Sequence, residues 1–320
     1  DVVDIDGAVD MASTLQVDGA ITFSSTLNGL DILADATNFV DSILISQNAS
    51  TGTLDSASSN TGLGDTVFSA LTSGDFNTAV GFKALEDHTT GASNTAIGAQ
   101  ALMNNTTAAN NVAVGISALK TNTTGASNVA IGKNALDANT TADNNTAVGA
   151  DALGANTTGE FNIAIGSNAV DANTTANYNI GIGYNALTTE ASGEKNVAIG
   201  HAALEDSNGG NFNTAVGYGS LRNSTTADNN TAFGYHTLVT NTTGASNTAV
   251  GFGSLDANTT GGFNVGLGQS ALTDNTTGAS NVAIGVSALG TNSTADFNTA
   301  VGRDSLAANT TGSSLVAVGK

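Results

Sequence analysis

A glycine returns every 17 residues, from Gly64, Gly81 and Gly98 through to Gly319, at sixteen positions without a slip in register. A strict period of this length decides the fold, because each unit is one structural turn that hides its apolar side only by stacking on its neighbours. A typical unit, Asn128 to Asn144, reads NVAIGKNALDANTTADN. With its Asn counted as position 1, position 2 is always Thr, Val or Ile, position 3 always Ala or Gly, and position 4 always a large apolar residue. Position 5 is the Gly, and position 9 is Leu except for Phe68 and Val170. Positions 2 to 4 alternate with period two, which is a strand pattern. We expect positions 2 and 4 to face the core and position 3 to face away, with Leu at position 9 returning to the core. Position 6 holds Asp65, Lys133, Gln269 and Arg303 and is expected in solvent. The Asn-Thr-Thr-Gly stretch at positions 12 to 15 reads as a turn. Seventeen residues with a strand and two turns leave no room for a ten-residue helix. The prediction is an all-β parallel β-solenoid, or β-roll, of about fifteen coils over residues 60–320. At ~4.8 Å per stacked strand, that is a rod on the order of 70 Å long.

The recurring Asn at position 1 has two readings. Identical amides one coil apart can bond along the axis, as in other stacked β-structures, or Asn can serve as a plain turn residue. The smallness of position 3 also has two. Another chain's backbone can approach there, as when three chains meet along a common axis, or position 3 can face a tight turn of its own coil. With only three or four sizeable apolar side chains per coil, the core of a lone solenoid is thin, and a multimer is the expectation.

Composition removes several functions. Lys and Arg total 7 against 27 Asp and Glu, a net charge of −20, which argues against nucleic acid and against anionic lipid, since both need clustered cations. Cysteine is absent, so there are no disulfides, thiolate metal sites or cysteine nucleophiles. No apolar run reaches the ~18 residues of a membrane span. The sequence starts at Asp1 without a signal-like segment and reads as a processed product or a part of a longer protein.

The NTAVG, NVAIG and NIAIG segments, each with a small-Leu pair four residues downstream, resemble the head repeats of trimeric autotransporter adhesins. They are also similar to repeats of phage tail fibres and related trimeric surface fibres. The resemblance covers Asn60 to Lys320. It implies a left-handed parallel β-roll, a homotrimer, and a place at the outer end of an adhesive fibre, hence extracellular, on a virion or a cell surface. The 17-residue period departs from those adhesin heads, which commonly use shorter turns. The function read from all this is a non-enzymatic structural and adhesive fibre protein, a phage tail fibre contributing to host attachment. The alternative is a bacterial cell-surface trimeric adhesin or extracellular filament subunit.

Residues 1–59 form a separate β-rich neck or capping segment. Ile5 to Gln16 aligns with Val17 to Asn28 in a 12-residue repeat with an Asp-Gly turn in each copy. Residues 29 to 59, with Leu30, Ile32, Phe39, Val40, Ile43 and Leu44, are expected to cap the open end of the solenoid. Asp4-Ile5-Asp6-Gly7 faintly resembles a calcium loop but lacks the closing ligands, so solvated turn acids are the preferred reading.

Little in the sequence points to chemistry. His88, His201 and His236 fall at positions 12, 6 and 7 of separate repeats and match no metal spacing or triad. No phosphate loop is present, the acids show no shared cleft, and no cofactor, metal or catalytic residue is assigned. The Asn-x-Ser/Thr sequons at Asn122, Asn139, Asn156 and Asn258 are better explained by the turn. One feature stands out: position 6 carries Tyr184, His201, Tyr218, Tyr235 and Phe252 in five consecutive repeats. Stacked one coil apart, these rings form an exposed ladder. It either contacts a cell-surface glycan or protein receptor, or merely stacks and stiffens the rod.

Overall fold

A computed structural model describes residues 31–36, 39–46 and 53–320 of the chain. The two 12-residue units, the Asp4–Gly7 segment and Leu30 lie outside the described residues.

The described chain is an all-β parallel solenoid. It opens with β1 (Asp31–Ala36), β2 (Phe39–Ser46) and the short β3 (Ala57–Ser58). Sixteen three-residue strands follow, one per repeat, from β4 (Thr61–Leu63) to β19 (Val316–Val318). Each pairs in parallel with the same positions one coil on, as in Val129↔Thr146, Ala130↔Ala147 and Ile131↔Val148. β2 joins this stack through Ile43↔Thr61, Leu44↔Gly62 and Ile45↔Leu63. β1 then pairs with β2 in the antiparallel sense. This hairpin lies on the first coil.

The strand faces are the reverse of the sequence expectation. Position 3 is the core residue: Ala79, Ala96, Ala130 and Ala147 are fully buried. Positions 2 and 4 point outward, and Ile97, Ile131, Ile165 and Val250 are exposed. The reason is the narrowness of a 17-residue coil. Its interior takes Ala at positions 3 and 8, Leu at position 9, Gly or Ala at position 15, and two columns of Asn at positions 1 and 12.

Position 3 is therefore small because of its own coil. A Cβ on Gly62 would lie 2.6 Å from Leu44 Cδ1, and one on Gly181 2.5 Å from Val170 Cγ2. Glycine replaces alanine where the facing core side chain intrudes, and no second chain is needed to explain it. The position-5 glycines answer two demands at once. Gly149 has φ +142°, and a Cβ there would lie 2.4 Å from the carbonyl oxygen of Gly166 in the next coil.

Both Asn columns are hydrogen-bonded ladders. Asn94 donates its backbone N–H at 2.9 Å and its Nδ2 at 3.0 Å to Asn77 Oδ1, and donates Nδ2 to the Ala108 carbonyl at 2.9 Å. In the second column Asn139 Nδ2 donates to Asn122 Oδ1 at 2.8 Å and to the Ala142 carbonyl at 3.1 Å. A buried amide is tolerated only when its polar atoms are satisfied, and a column of identical amides satisfies itself.

Candidate functional site

The position-6 ladder is present as a geometric object. Ring centroids run 5.3 Å from Tyr184 to His201, 4.9 Å to Tyr218, 5.3 Å to Tyr235 and 5.3 Å to Phe252. Three of these steps are near-parallel, with interplanar angles of 9°, 12° and 2°, and only Tyr184–His201 is tilted, at 31°. The rings therefore turn their faces to one another and their edges to solvent. Offset stacking of this kind contributes about 0.5–1.5 kcal/mol per aromatic pair. A sugar ring cannot lie flat on a face that a neighbour covers, so a ligand here meets ring edges and the Tyr hydroxyls.

His236, one position further on, packs 4.2 Å from Tyr235 and 5.6 Å from Tyr218. It leans over Gly219, where a Cβ would lie 2.9 Å from His236 Cδ2. The missing side chain makes the space for the imidazole.

A second aromatic column escaped the sequence reading. Position 17 carries Phe76, Phe161, Tyr178, Phe212, Phe263 and Phe297, all exposed. Phe161 and Tyr178 stack at 5.2 Å and 3°, and Lys195 Nζ sits 5.1 Å from the Phe212 ring centroid. Each of these aromatic residues holds a left-handed backbone, with φ between 57° and 61°, a conformation uncommon for bulky side chains. Position 17 precedes the strand as position 6 follows it, so the two columns flank the outward face made by positions 2 and 4.

The three histidines remain apart in role. His201 belongs to the ladder and His236 lies beside it. His88 is fully buried and substitutes for Asn in the second amide column, with its Nε2 2.7 Å from the Gly91 carbonyl and its Nδ1 2.9 Å from Asn105 Nδ2. Nε2–H donates to the carbonyl and Nδ1 accepts from the amide, which makes it a neutral imidazole, and burial lowers its pKa below the usual 6.5.

The sequons are closed to modification in the fold. Asn122, Asn139, Asn156 and Asn258 are fully buried, and each amide nitrogen is engaged in the ladder.

Acids do meet in one place that the linear reading missed. Asp137, Asp151 and Asp171 stand at positions 10, 7 and 10 of three successive coils and are half-buried. Desolvation first, then the charge of Asp151, raises the Asp171 carboxyl above its ordinary value. Desolvation also raises Asp137, opposed by Lys120 and supported by Asp151. Among the described residues no group of three or more His, Asp or Glu is arranged to hold a metal ion. No helix among them is long and apolar enough to cross a membrane.

No protein-family model matches the chain, and no curated protein matches it.

Proposed function

We propose that this chain is the rigid section of a structural and adhesive fibre, non-enzymatic, extracellular and built as a left-handed homotrimer. The observation that carries this reading is the outward strand face. From Thr61 and Leu63 to Val316 and Val318, positions 2 and 4 hold only Thr, Val, Ile, Leu and Phe, in a chain of net charge −20. An exposed apolar strip of this length marks an interaction surface. Sixteen strands at ~4.8 Å, with a face roughly 20 Å wide including both flanks, offer on the order of 1,400 Å² per copy, above the ~800 Å² per partner of a stable interface. The strip, and not the small position 3, is what argues for association.

A phage tail fibre that contributes to host attachment is the particular use we assign, on the resemblance of the repeats. The position-6 ladder is its receptor contact, through ring edges and hydroxyls to a cell-surface glycan or protein. Replacing Tyr218 and Tyr235 together by Ser is expected to abolish binding to host cells while leaving the rod intact by electron microscopy; unchanged binding would reject the receptor role. Charge placed in the strip, as in Ile131→Asp with Ile165→Asp, is expected to reduce the native particle to a single chain. A particle of unchanged mass would remove the strip from the interface.

A further inference from the structure

Asn-Gly occurs twice in the sequence, at Asn28-Gly29, outside the described residues, and at Asn208-Gly209. The second pair sits in a turn where the solenoid departs from its own rule. Position 14 is elsewhere Thr or Ser, and its N–H bonds to the next coil, as those of Thr90 and Thr107 do to the Thr106 and Thr123 carbonyls at 3.3 and 3.4 Å. Gly209 instead takes φ +105°, which L side chains rarely adopt, and its N–H turns back to Glu190 Oε1 in the preceding coil at 2.8 Å. Asn208 itself is exposed, and among the described residues its side chain makes no hydrogen bond. The amide columns are the contrast: Asn122, Asn139 and Asn156 are fully buried, engaged through Nδ2, and followed by Thr.

These features meet the requirements of one reaction. A backbone nitrogen attacks the side-chain carbonyl of the Asn before it when that side chain is free to turn, when no Cβ crowds the nitrogen, and when a base takes its proton. Glu190 is placed as that base. Its fully buried carboxylate touches the Gly209 N–H directly, and the Ser192 and Gly193 N–H groups and the Ser207 hydroxyl fix its position. Asn173, the preceding residue of the same column, has a buried Oδ1 without a hydrogen-bond partner, so a proton on Glu190 supplies a donor that the column lacks.

We infer that Asn208 is a self-modification site, at which Glu190 catalyses ring closure by the Gly209 nitrogen. The bond from Gly209 N to Asn208 Cγ forms as the Cγ–Nδ2 bond breaks. The proton of the Gly209 N–H passes to Glu190 and from there to Nδ2, which leaves as ammonia, and a succinimide remains. Water, the one co-reactant, then opens the ring, and nothing is oxidised or reduced. Opening at Cγ gives an aspartyl residue. Opening at the backbone carbonyl gives an iso-aspartyl link, with one more carbon in the main chain of a coil whose register is otherwise fixed. Either product adds a negative charge to the turn.

The test compares the purified full chain, native and in denaturant, aged at neutral pH in heavy-oxygen water and mapped by peptide mass. The native chain is expected to convert Asn208 faster than the denatured chain, in which Glu190 no longer lies beside Gly209. The new acid should carry one heavy oxygen, and the iso-aspartyl share should accept methyl groups from an isoaspartyl methyltransferase. Glu190→Gln keeps the shape of the side chain and should slow native conversion roughly 100-fold. Gly209→Ala should slow it as well. A native rate at or below the denatured one overturns the inference, and needs no variant to do so. An unchanged rate in a Glu190→Gln chain that still melts cooperatively overturns it too, as does an aspartyl product with no iso-aspartyl. Chain cleavage after Asn208 would mean that Nδ2 attacked instead, and would also overturn it.

Discussion

The coils from Asn111 to Asn173 and those from Glu190 to Ser224 share one backbone and differ in what fills the second amide column. In the first region the column is Asn122, Asn139, Asn156 and Asn173, each donating to the one before. In the second it is Glu190, Ser207 and Ser224. The Glu190 carboxylate is fully buried, with no cation paired to it among the described residues, and it is held by N–H groups of Ser192, Gly193 and Gly209 and by the Ser207 hydroxyl. Asn173 Oδ1 loses the donor that the next Asn would supply and is left buried without a partner, as is Ser224 Oγ. The same stretch carries His201 and Tyr218, two rungs of the aromatic ladder, and ion pairs such as Arg222–Glu205 at 2.7 Å. Repetition stabilises the solenoid by letting identical groups satisfy one another, and this region has given up part of that saturation where its outer surface is most distinctive.

The largest effect is expected from breaking the regular column. Asn139→Leu leaves Asn122 Oδ1 without its donor and removes the acceptor of Asn156 Nδ2, and should cost about 2–4 kcal/mol by denaturant unfolding. Next comes repair of the irregular one. Glu190→Asn removes a buried charge and supplies Asn173 Oδ1 with a donor, so thermal unfolding should move upward, by roughly 1–2 kcal/mol. A lower melting temperature would mean that the Glu190 cradle is worth more than the ladder bond it replaces.

A smaller effect concerns pH. His88 is bound neutral with a lowered pKa, so its contribution is intact above its unfolded value of 6.5 and is lost as pH falls from there toward the folded value. His88→Asn should flatten that slope in melting curves. The raised carboxyls of Asp137 and Asp171, and that of Asp256, which burial raises against the opposing charge of His236, act in the opposite sense. Because the fold holds their protons more tightly than the unfolded chain, they favour folding as pH falls toward 3.8. Asp151→Asn should weaken that gain. The smallest effect is Ser224→Ala, whose hydroxyl has no partner; its unfolding midpoint should stay within about 0.5 kcal/mol of the parent.

Much of this architecture is readable from residues alone. The period places the sixteen position-5 glycines, the Leu of position 9 and the position-6 ring ladder, because stacking turns equal spacing into contact. Which face of the strand is inside was not readable in the same way. Period two groups positions 2 and 4 against position 3, but it does not say which group meets the core. Size reverses the ordinary preference: Ile131 is exposed and Ala130 buried because the coil has room for a methyl and not for a branched chain. The second amide column hid behind Asn-Thr-Thr, which is equally a turn signature. The Asp137, Asp151 and Asp171 group stayed hidden because its members occupy different positions of successive repeats.

An interface between copies at the outward strip is the central requirement of such a fibre section. Light scattering of the purified chain at neutral pH gives the native mass. Three times 31.4 kDa is the result expected of a trimeric fibre section. A single species of 31.4 kDa would contradict it, leaving a solenoid that carries its apolar face bare.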